Sequence, residues 1–464
     1  MLKIDYNNMT IQTLGKKNGI DVDKSVKIDK SLIENAFQSV HSTRGQGMQE
    51  WMDLPYVNAD LIEQIKSFTA PIKDSASDFV VFGIGGSALG IQSVATGLIH
   101  QRHNSLSAKD RKCPRLFVED NIDPNRFLSL LDCVDIDNAY FNVITKSGET
   151  SETLAQFLCI YDLLIKRLGR HKAVQRIIIT TTIGKGSLYK VAMQEGFKVF
   201  GIGQGVGGRF SVLSVVGLVT FGVLGFDINQ LLLGARQMTE RCFLPDIYQN
   251  PALMMAYLQV CSIKSGKNIS VFMPYADGLK FIADFYSQLW GESLGKKFDM
   301  QGNEIYAGQT PMRALGVTDQ HSQIQLFVEG PFDKVVTFLT VKDFGVSKEI
   351  PKIEGLQMGD FLSGHTLNDL LDAERIATEW ALTKNGRANF NVILPKIDEY
   401  SIGELLAYLM MQTCFVGSLL NINTYDQPGV EHGKIATFAR LGRQGYDRQL
   451  REMEQIKKMD KYTI

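Results

Sequence analysis

Two short turns carry the chemistry that residue type and spacing suggest first. Gly83-Ile84-Gly85-Gly86-Ser87 closes the apolar run DFVVFG and leads into a helical pattern. Glycines let a backbone come close to a ligand. Free N–H groups at the positive end of a helix then form an anion site. Thr145-Lys146-Ser147-Gly148-Glu149-Thr150-Ser151 sets several hydroxyls and one ammonium at a second helix start. Hydroxyls and backbone N–H groups suit a phosphate monoester, which offers many acceptor oxygens. Neither turn has the GxGxxG spacing with a following acid, or the GxxxxGK[ST] spacing, so dinucleotide and P-loop readings gain no support. The bland alternatives are a ligand-free strand-to-helix turn and a polar helix cap.

These turns need elements to hold them. Apolar, β-branched runs at 78–83, 115–118, 141–145 and 176–181 alternate with helical stretches, the first at 87–100. Continuous apolar strands separated by helices predict a parallel sheet covered on both faces. In such sheets ligands bind at the carboxyl ends of strands, where both turns fall. A second series of strands is expected from 269, continuing through 324–330, 335–341 and 390–395. Long helices are expected at 277–291, 365–385 and 401–422, and an exposed helix at 443–459. Residues 1 to 70 carry no clear repeating pattern. The reading is therefore α/β: two α/β/α sandwich subdomains with mostly parallel sheets and a helical tail. The expected division is an N-terminal segment 1–65, a first domain 66–235, a second domain 236–440 and a tail 441–464.

Composition sets the outer limits. The chain has 464 residues, 44% hydrophobic and 21% charged, which fits a globular protein and excludes a wholly disordered chain. Forty-nine basic residues against fifty acidic ones give a net charge of -1. That balance argues against a nucleic-acid groove or a basic membrane surface. The six cysteines, Cys113, Cys133, Cys159, Cys242, Cys261 and Cys414, lack zinc spacing and read as reduced thiols of a cytoplasmic protein. The uncharged run 210–226 is shorter than the ~20 residues a membrane span needs, so it reads as a buried helix. No apolar signal core is visible in MLKIDYNNMT.

Longer motifs carry a family resemblance. The first two turns resemble the sugar-phosphate turns of sugar isomerase (SIS) domains. Val206-Gly207-Gly208-Arg209-Phe210-Ser211 is similar to the GGR[FY]S signature of the glucose-6-phosphate isomerase family. The run Tyr425-Asp426-Gln427-Pro428-Gly429-Val430-Glu431-His432-Gly433-Lys434 is similar to its [FY]DQxGVExxK signature. Gln288-Leu289-Trp290-Gly291-Glu292-Ser293 resembles its QxxxE segment, and Asp319-Gln320-His321-Ser322-Gln323 its QH segment. The matches follow family order from WMDLP at 51–55 to Lys434, most of the chain.

The resemblance implies an aldose–ketose isomerase that interconverts D-glucose 6-phosphate and D-fructose 6-phosphate, without cofactor or metal. Glu292 would be the base that moves a proton between two carbons; read alone, it could be a helical partner of Lys296 at i,i+4. Arg209 would stabilise the enediolate, because a guanidinium stays charged. His321 and Lys434 would open the sugar ring, a proton transfer between O1 and O5 to which a histidine side chain is suited. Gln288 and Gln427 would contact substrate oxygens. Gly85, Gly86, Ser87, Thr145, Lys146, Ser147 and Thr150 would hold the phosphate. The family also implies a homodimer in which the residue matching His321 comes from the neighbouring chain. Glu149 departs from the pattern, since the family generally has a small or hydroxyl residue there; it is expected to face solvent, with Lys146 offsetting part of its charge. Competing readings are a dual phosphoglucose/phosphomannose isomerase and a non-catalytic SIS sugar-phosphate sensor. Retention of Glu292, His321 and Lys434 together argues against the sensor.

Overall fold

The computed structural model describes every residue except 357 and 457. Among the described residues, twelve strands form two five-stranded sheets and one two-stranded ribbon. In chain order the strands are β1 (Lys3–Asp5), β2 (Asp78–Phe82), β3 (Arg115–Glu119), β4 (Ala139–Ile144), β5 (Ile177–Thr181), β6 (Lys198–Gly201), β7 (Ile269–Pro274), β8 (Lys296–Phe298), β9 (Glu304–Ala307), β10 (Thr310–Arg313), β11 (Lys334–Asp343) and β12 (Asn389–Lys396).

The first sheet has the order β3-β2-β4-β5-β6, and all its pairs are parallel. The chain reverses its winding direction between β2 and β4. That switch point is where open α/β sheets bind ligands. The second sheet has the order β1-β12-β11-β7-β10, parallel apart from the β1 edge. The expected α/β architecture with mostly parallel sheets is therefore what the chain adopts.

Alternation along the strands explains the layers. Phe79 and Val81 point into one core while Val80 and Phe82 point into another. The large core also takes Phe272 and Leu339 from the second sheet, whereas Val271 and Phe338 face a third cluster. One face of each sheet thus rests on a shared layer of apolar helices, and each outer face on its own helices. The shared layer contains the helices Val215–Leu224, Ile228–Cys242, Pro251–Lys264, Lys280–Leu294 and Glu399–Leu419. Their starts are set locally. Ser214, Asp227, Asn250 and Asp398 each accept a first-turn N–H through the side chain. The Glu399–Leu419 helix is long and apolar enough to cross a membrane by composition, yet 94% of its most apolar window lies inside the protein.

Several expectations change. The segment 324–330 is not a strand but the helix Ile324–Glu329, with Phe327 buried beneath it. A short apolar run does not separate strand from helix. The buried helix expected across 210–226 is confined to Val215–Leu224, behind a separate turn at Gly208–Phe210. The tail helix expected at 443–459 is only Asp447–Glu454, and residue 457 of that range lies outside the described residues. Residues 1 to 70, which showed no pattern, contain helices such as Lys30–Ser42 and most of Ala59–Ser75.

Candidate active site

Most of the residues singled out in sequence, though not His321 or Lys434, converge at the carboxyl end of the first sheet. The turn after β2 starts as a single 3-10 turn, Gly85–Ser87, and the helix proper begins at Leu89. Gly85 has φ +56, and a Cβ there would lie 2.8 Å from Gln288 Nε2. A Cβ on Gly86 would lie 2.2 Å from the Gly208 carbonyl. Only glycine therefore lets this turn meet both the Gly208–Phe210 turn and the Lys280–Leu294 helix. Ser87 closes the turn by donating its N–H to the Ile84 carbonyl.

Arg209 is the centre of the cluster. Its side chain is only 2% exposed. Phe210 fixes the turn by stacking on Trp51, ring centroids 4.8 Å apart. Arg209 Nε donates to Ser293 Oγ at 2.7 Å, and Nη1 donates to Glu292 Oε2 at 3.2 Å and to Gln427 Oε1. Nη2 donates to the carbonyls of Thr424 at 2.7 Å and Asp426 at 3.2 Å. Burial pulls the guanidinium pKa below its ordinary value, opposed by the Glu292 charge. The group remains a fixed cation.

Glu292 lies in the last turn of the Lys280–Leu294 helix and is 30% exposed. Oε1 accepts from Gln288 Nε2 at 3.1 Å. Lys296 is not its i,i+4 carboxylate partner: the ammonium donates to the Glu292 backbone carbonyl at 2.6 Å instead. The carboxylate therefore has a cation on one side, an amide on the other and an open edge. Such a group can take up and return a proton beside a charge that stabilises an oxyanion.

The hydroxyl turn lies alongside, because β2 and β4 are neighbours. Thr145 Oγ1 sits 2.7 Å from Thr150 Oγ1 and 3.4 Å from Ser147 Oγ. Thr150 precedes the helix Ser151–Leu168 and makes no side-chain capping bond to it. Lys146 Nζ donates to the Gln204 carbonyl at 2.7 Å, and burial lowers its pKa. Three hydroxyls and a helix start thus form a cradle of anion-binding type.

Glu149 does not simply face solvent, and Lys146 is not its partner. Its Oε1 accepts the Ser187 N–H at 2.7 Å, and Oε2 lies 3.5 Å from Arg443 Nη2. A short turn, with Gly186 packed on Gly148, brings residue 187 there. Glu149→Gln preserves that acceptor while removing a negative charge beside the cradle. KM for a phosphorylated sugar is expected to fall about fivefold, the scale of one exposed charge interaction, in a steady-state assay.

His321 and Lys434 are not brought into the cluster. His321 is exposed on the Thr318–His321 turn after β10, and no hydrogen bond joins it to Glu292 or Arg209 among the described residues. Lys434 is half exposed on the helix Glu431–Arg440 and pairs with Glu431 at 2.7 Å. The sequence assigned no role to Ser293 or to the carbonyls of Thr424 and Asp426, and it marked Lys296 only as a helical partner of the Glu292 carboxylate. Ser293 stood within a quoted motif, but a backbone acceptor leaves no residue-type signal. Among the described residues no group of three or more His, Cys, Asp or Glu is placed to hold a metal ion.

The chain is similar to known proteins along nearly its whole length. Glucose-6-phosphate isomerase of Carboxydothermus hydrogenoformans is 44% identical over 100% of this chain and 99% of its own length. The crystal structure of a hypothetical protein from Thermus thermophilus superposes with TM-score 0.85 at 34% identity, covering 95% of this chain and 100% of that one. A glucose-6-phosphate isomerase from Chlamydia trachomatis shares the fold, with TM-score 0.81 at 20% identity over 97% of this chain and 96% of its own. Residues 56–460 match the family model described as phosphoglucose isomerase, and the chain belongs to that family.

Proposed function

We propose that this chain interconverts D-glucose 6-phosphate and D-fructose 6-phosphate, the aldose–ketose step shared by glycolysis and gluconeogenesis. The observation that carries the reading is the Glu292 carboxylate held against a buried Arg209 beside the hydroxyl cradle. The cradle would hold the phosphate, and that remote binding energy would set the reacting carbons against Glu292. Glu292 takes the proton from C2 of the opened aldose and returns it to C1, while the hydroxyl proton on O2 passes to O1. Arg209 stabilises the cis-enediolate formed between those transfers. Gln288 and Gln427, on either side of the carboxylate and guanidinium, would orient sugar oxygens.

Ring opening must come first, because the substrate is mostly cyclic. It moves a proton between O1 and O5, and His321 with Lys434 would carry it. The exposure of His321, outside the Arg209–Glu292 cluster, supports a homodimer in which each site borrows this residue from its neighbour. Mixing His321→Ala chains with Glu292→Gln chains is expected to restore part of the activity that both lack. No recovery after verified subunit exchange would contradict the shared site.

A coupled assay of purified protein on glucose 6-phosphate, mannose 6-phosphate and glucosamine 6-phosphate tests the activity. Turnover of the first alone is expected. Comparable turnover of mannose 6-phosphate would favour the dual isomerase, and none on any sugar phosphate would favour the sensor.

A further inference from the structure

We propose that Lys296 is a positioning residue that holds Glu292 and Arg209 in fixed register. This inference rests on the isomerase reading of the site.

The helix Lys280–Leu294 ends two residues after Glu292. Carbonyls in a last helical turn have no partner within the helix. Lys296, at the start of β8, folds back and donates to the Glu292 carbonyl at 2.6 Å. The same ammonium donates to the Asp426 carbonyl at 2.9 Å and lies 3.6 Å from Asp426 Oδ1. Its three donors thus have two carbonyls and a carboxylate to serve.

These contacts close a ring. The Asp426 carbonyl also accepts from Arg209 Nη2 at 3.2 Å. Arg209 Nη1 in turn donates to Glu292 Oε2 at 3.2 Å. Going round, the path runs from the Glu292 carbonyl to Lys296, the Asp426 carbonyl, Arg209 and back to the Glu292 side chain. Moving Lys296 therefore moves the helix end that carries the base relative to the loop that holds the arginine.

The ammonium is also buried. The Lys296 side chain is 6% exposed, and lysine is almost never so buried unless paired. Burial and the neighbouring Arg209 charge lower its pKa, opposed by Asp426 and Glu292. Two cations and two carboxylates share this space. An ammonium kept there fixes the last turn of one helix to a loop 130 residues away in sequence. None of its contacts reaches the phosphate cradle.

The test uses the full chain and three variants: Lys296→Met, Lys296→Gln and Lys296→Arg. For Lys296→Met, kcat on glucose 6-phosphate is expected to fall about 100-fold, the effect of a displacement of roughly 1 Å at a reacting centre. KM and the inhibition constant of 6-phosphogluconate should stay within about threefold, since uniform binding is untouched. Lys296→Arg restores the donors and should regain about tenfold over Lys296→Met. If Lys296→Met does not yield folded protein, Lys296→Gln, which keeps two neutral N–H donors, is read by the same split. A kcat within about threefold of wild type, equal losses in kcat and inhibitor binding, or an arginine variant no better than the methionine one would each overturn the inference. Wild-type protein without turnover would overturn the isomerase reading itself and this inference with it. Normal wild-type turnover with an undisturbed Lys296→Met overturns the inference alone.

Discussion

Glu292→Gln is expected to slow isomerisation about 10²–10⁴-fold, the usual worth of a general base, while 6-phosphogluconate binds almost as before. The amide has nearly the size of the carboxylate, so the Lys280–Leu294 helix loses no packing. One oxygen remains to accept from Arg209 Nη1, as Oε2 does now. The other position becomes an NH2 group facing Gln288 Nε2, which now donates to Oε1. Gln288 can answer by rotating its amide, because its Oε1 is buried without a hydrogen-bond partner among the described residues. The variant should therefore fold and bind, and lack only the proton acceptor. Single-turnover assay and equilibrium inhibitor titration separate those outcomes. Retention of half the wild-type turnover would remove Glu292 as the base.

Arg209→Lys should damage both rate and stability. The guanidinium makes five hydrogen bonds, to Ser293, Glu292, Gln427, Thr424 and Asp426. An ammonium has three donors and no planar fork, so it cannot replace them. The charge survives, which makes the substitution a test of geometry rather than of sign. Loss of aligned donors at an oxyanion costs about 10²–10³-fold in kcat. Acceptors left unpaired in the buried pocket should lower stability by about 2 kcal/mol. Steady-state kinetics and calorimetric melting report the two effects. A lysine variant with near wild-type kcat would mean that only the charge matters at this position.

How far the molecule was legible in its sequence depended on the kind of signal. Strands β2, β4 and β5 are buried along nearly their whole length, so their apolar runs stand out. The β1 strand has three residues at an antiparallel edge and leaves no such trace. The segment 324–330 has strand-like residue types, yet it folds as a helix because Phe327 and its neighbours pack on the outer face of the second sheet. The site was legible where side chains of distinctive type form motifs, as at Arg209, Glu292, Gln288 and Gln427. It was not legible where backbone does the work. The Thr424 and Asp426 carbonyls lie more than two hundred residues from Arg209 and could be anything in sequence. The environment of Glu149 depends on a turn that folds residue 187 against it. Lys296 gave a helical spacing that pointed to the Glu292 carboxylate, whereas the helix end turns the ammonium to the carbonyl.

If Glu292 carries a proton between two carbons through an enediolate, solvent hydrogen must enter the product. The direct measurement is proton NMR of glucose 6-phosphate formed from fructose 6-phosphate in deuterium oxide. A proton held on a carboxylate exchanges with solvent, so the account predicts deuterium at C2 of the product, and none formed at a comparable rate by Glu292→Gln. Full turnover with no solvent hydrogen at C2 would indicate direct hydride transfer between the carbons and would contradict the account.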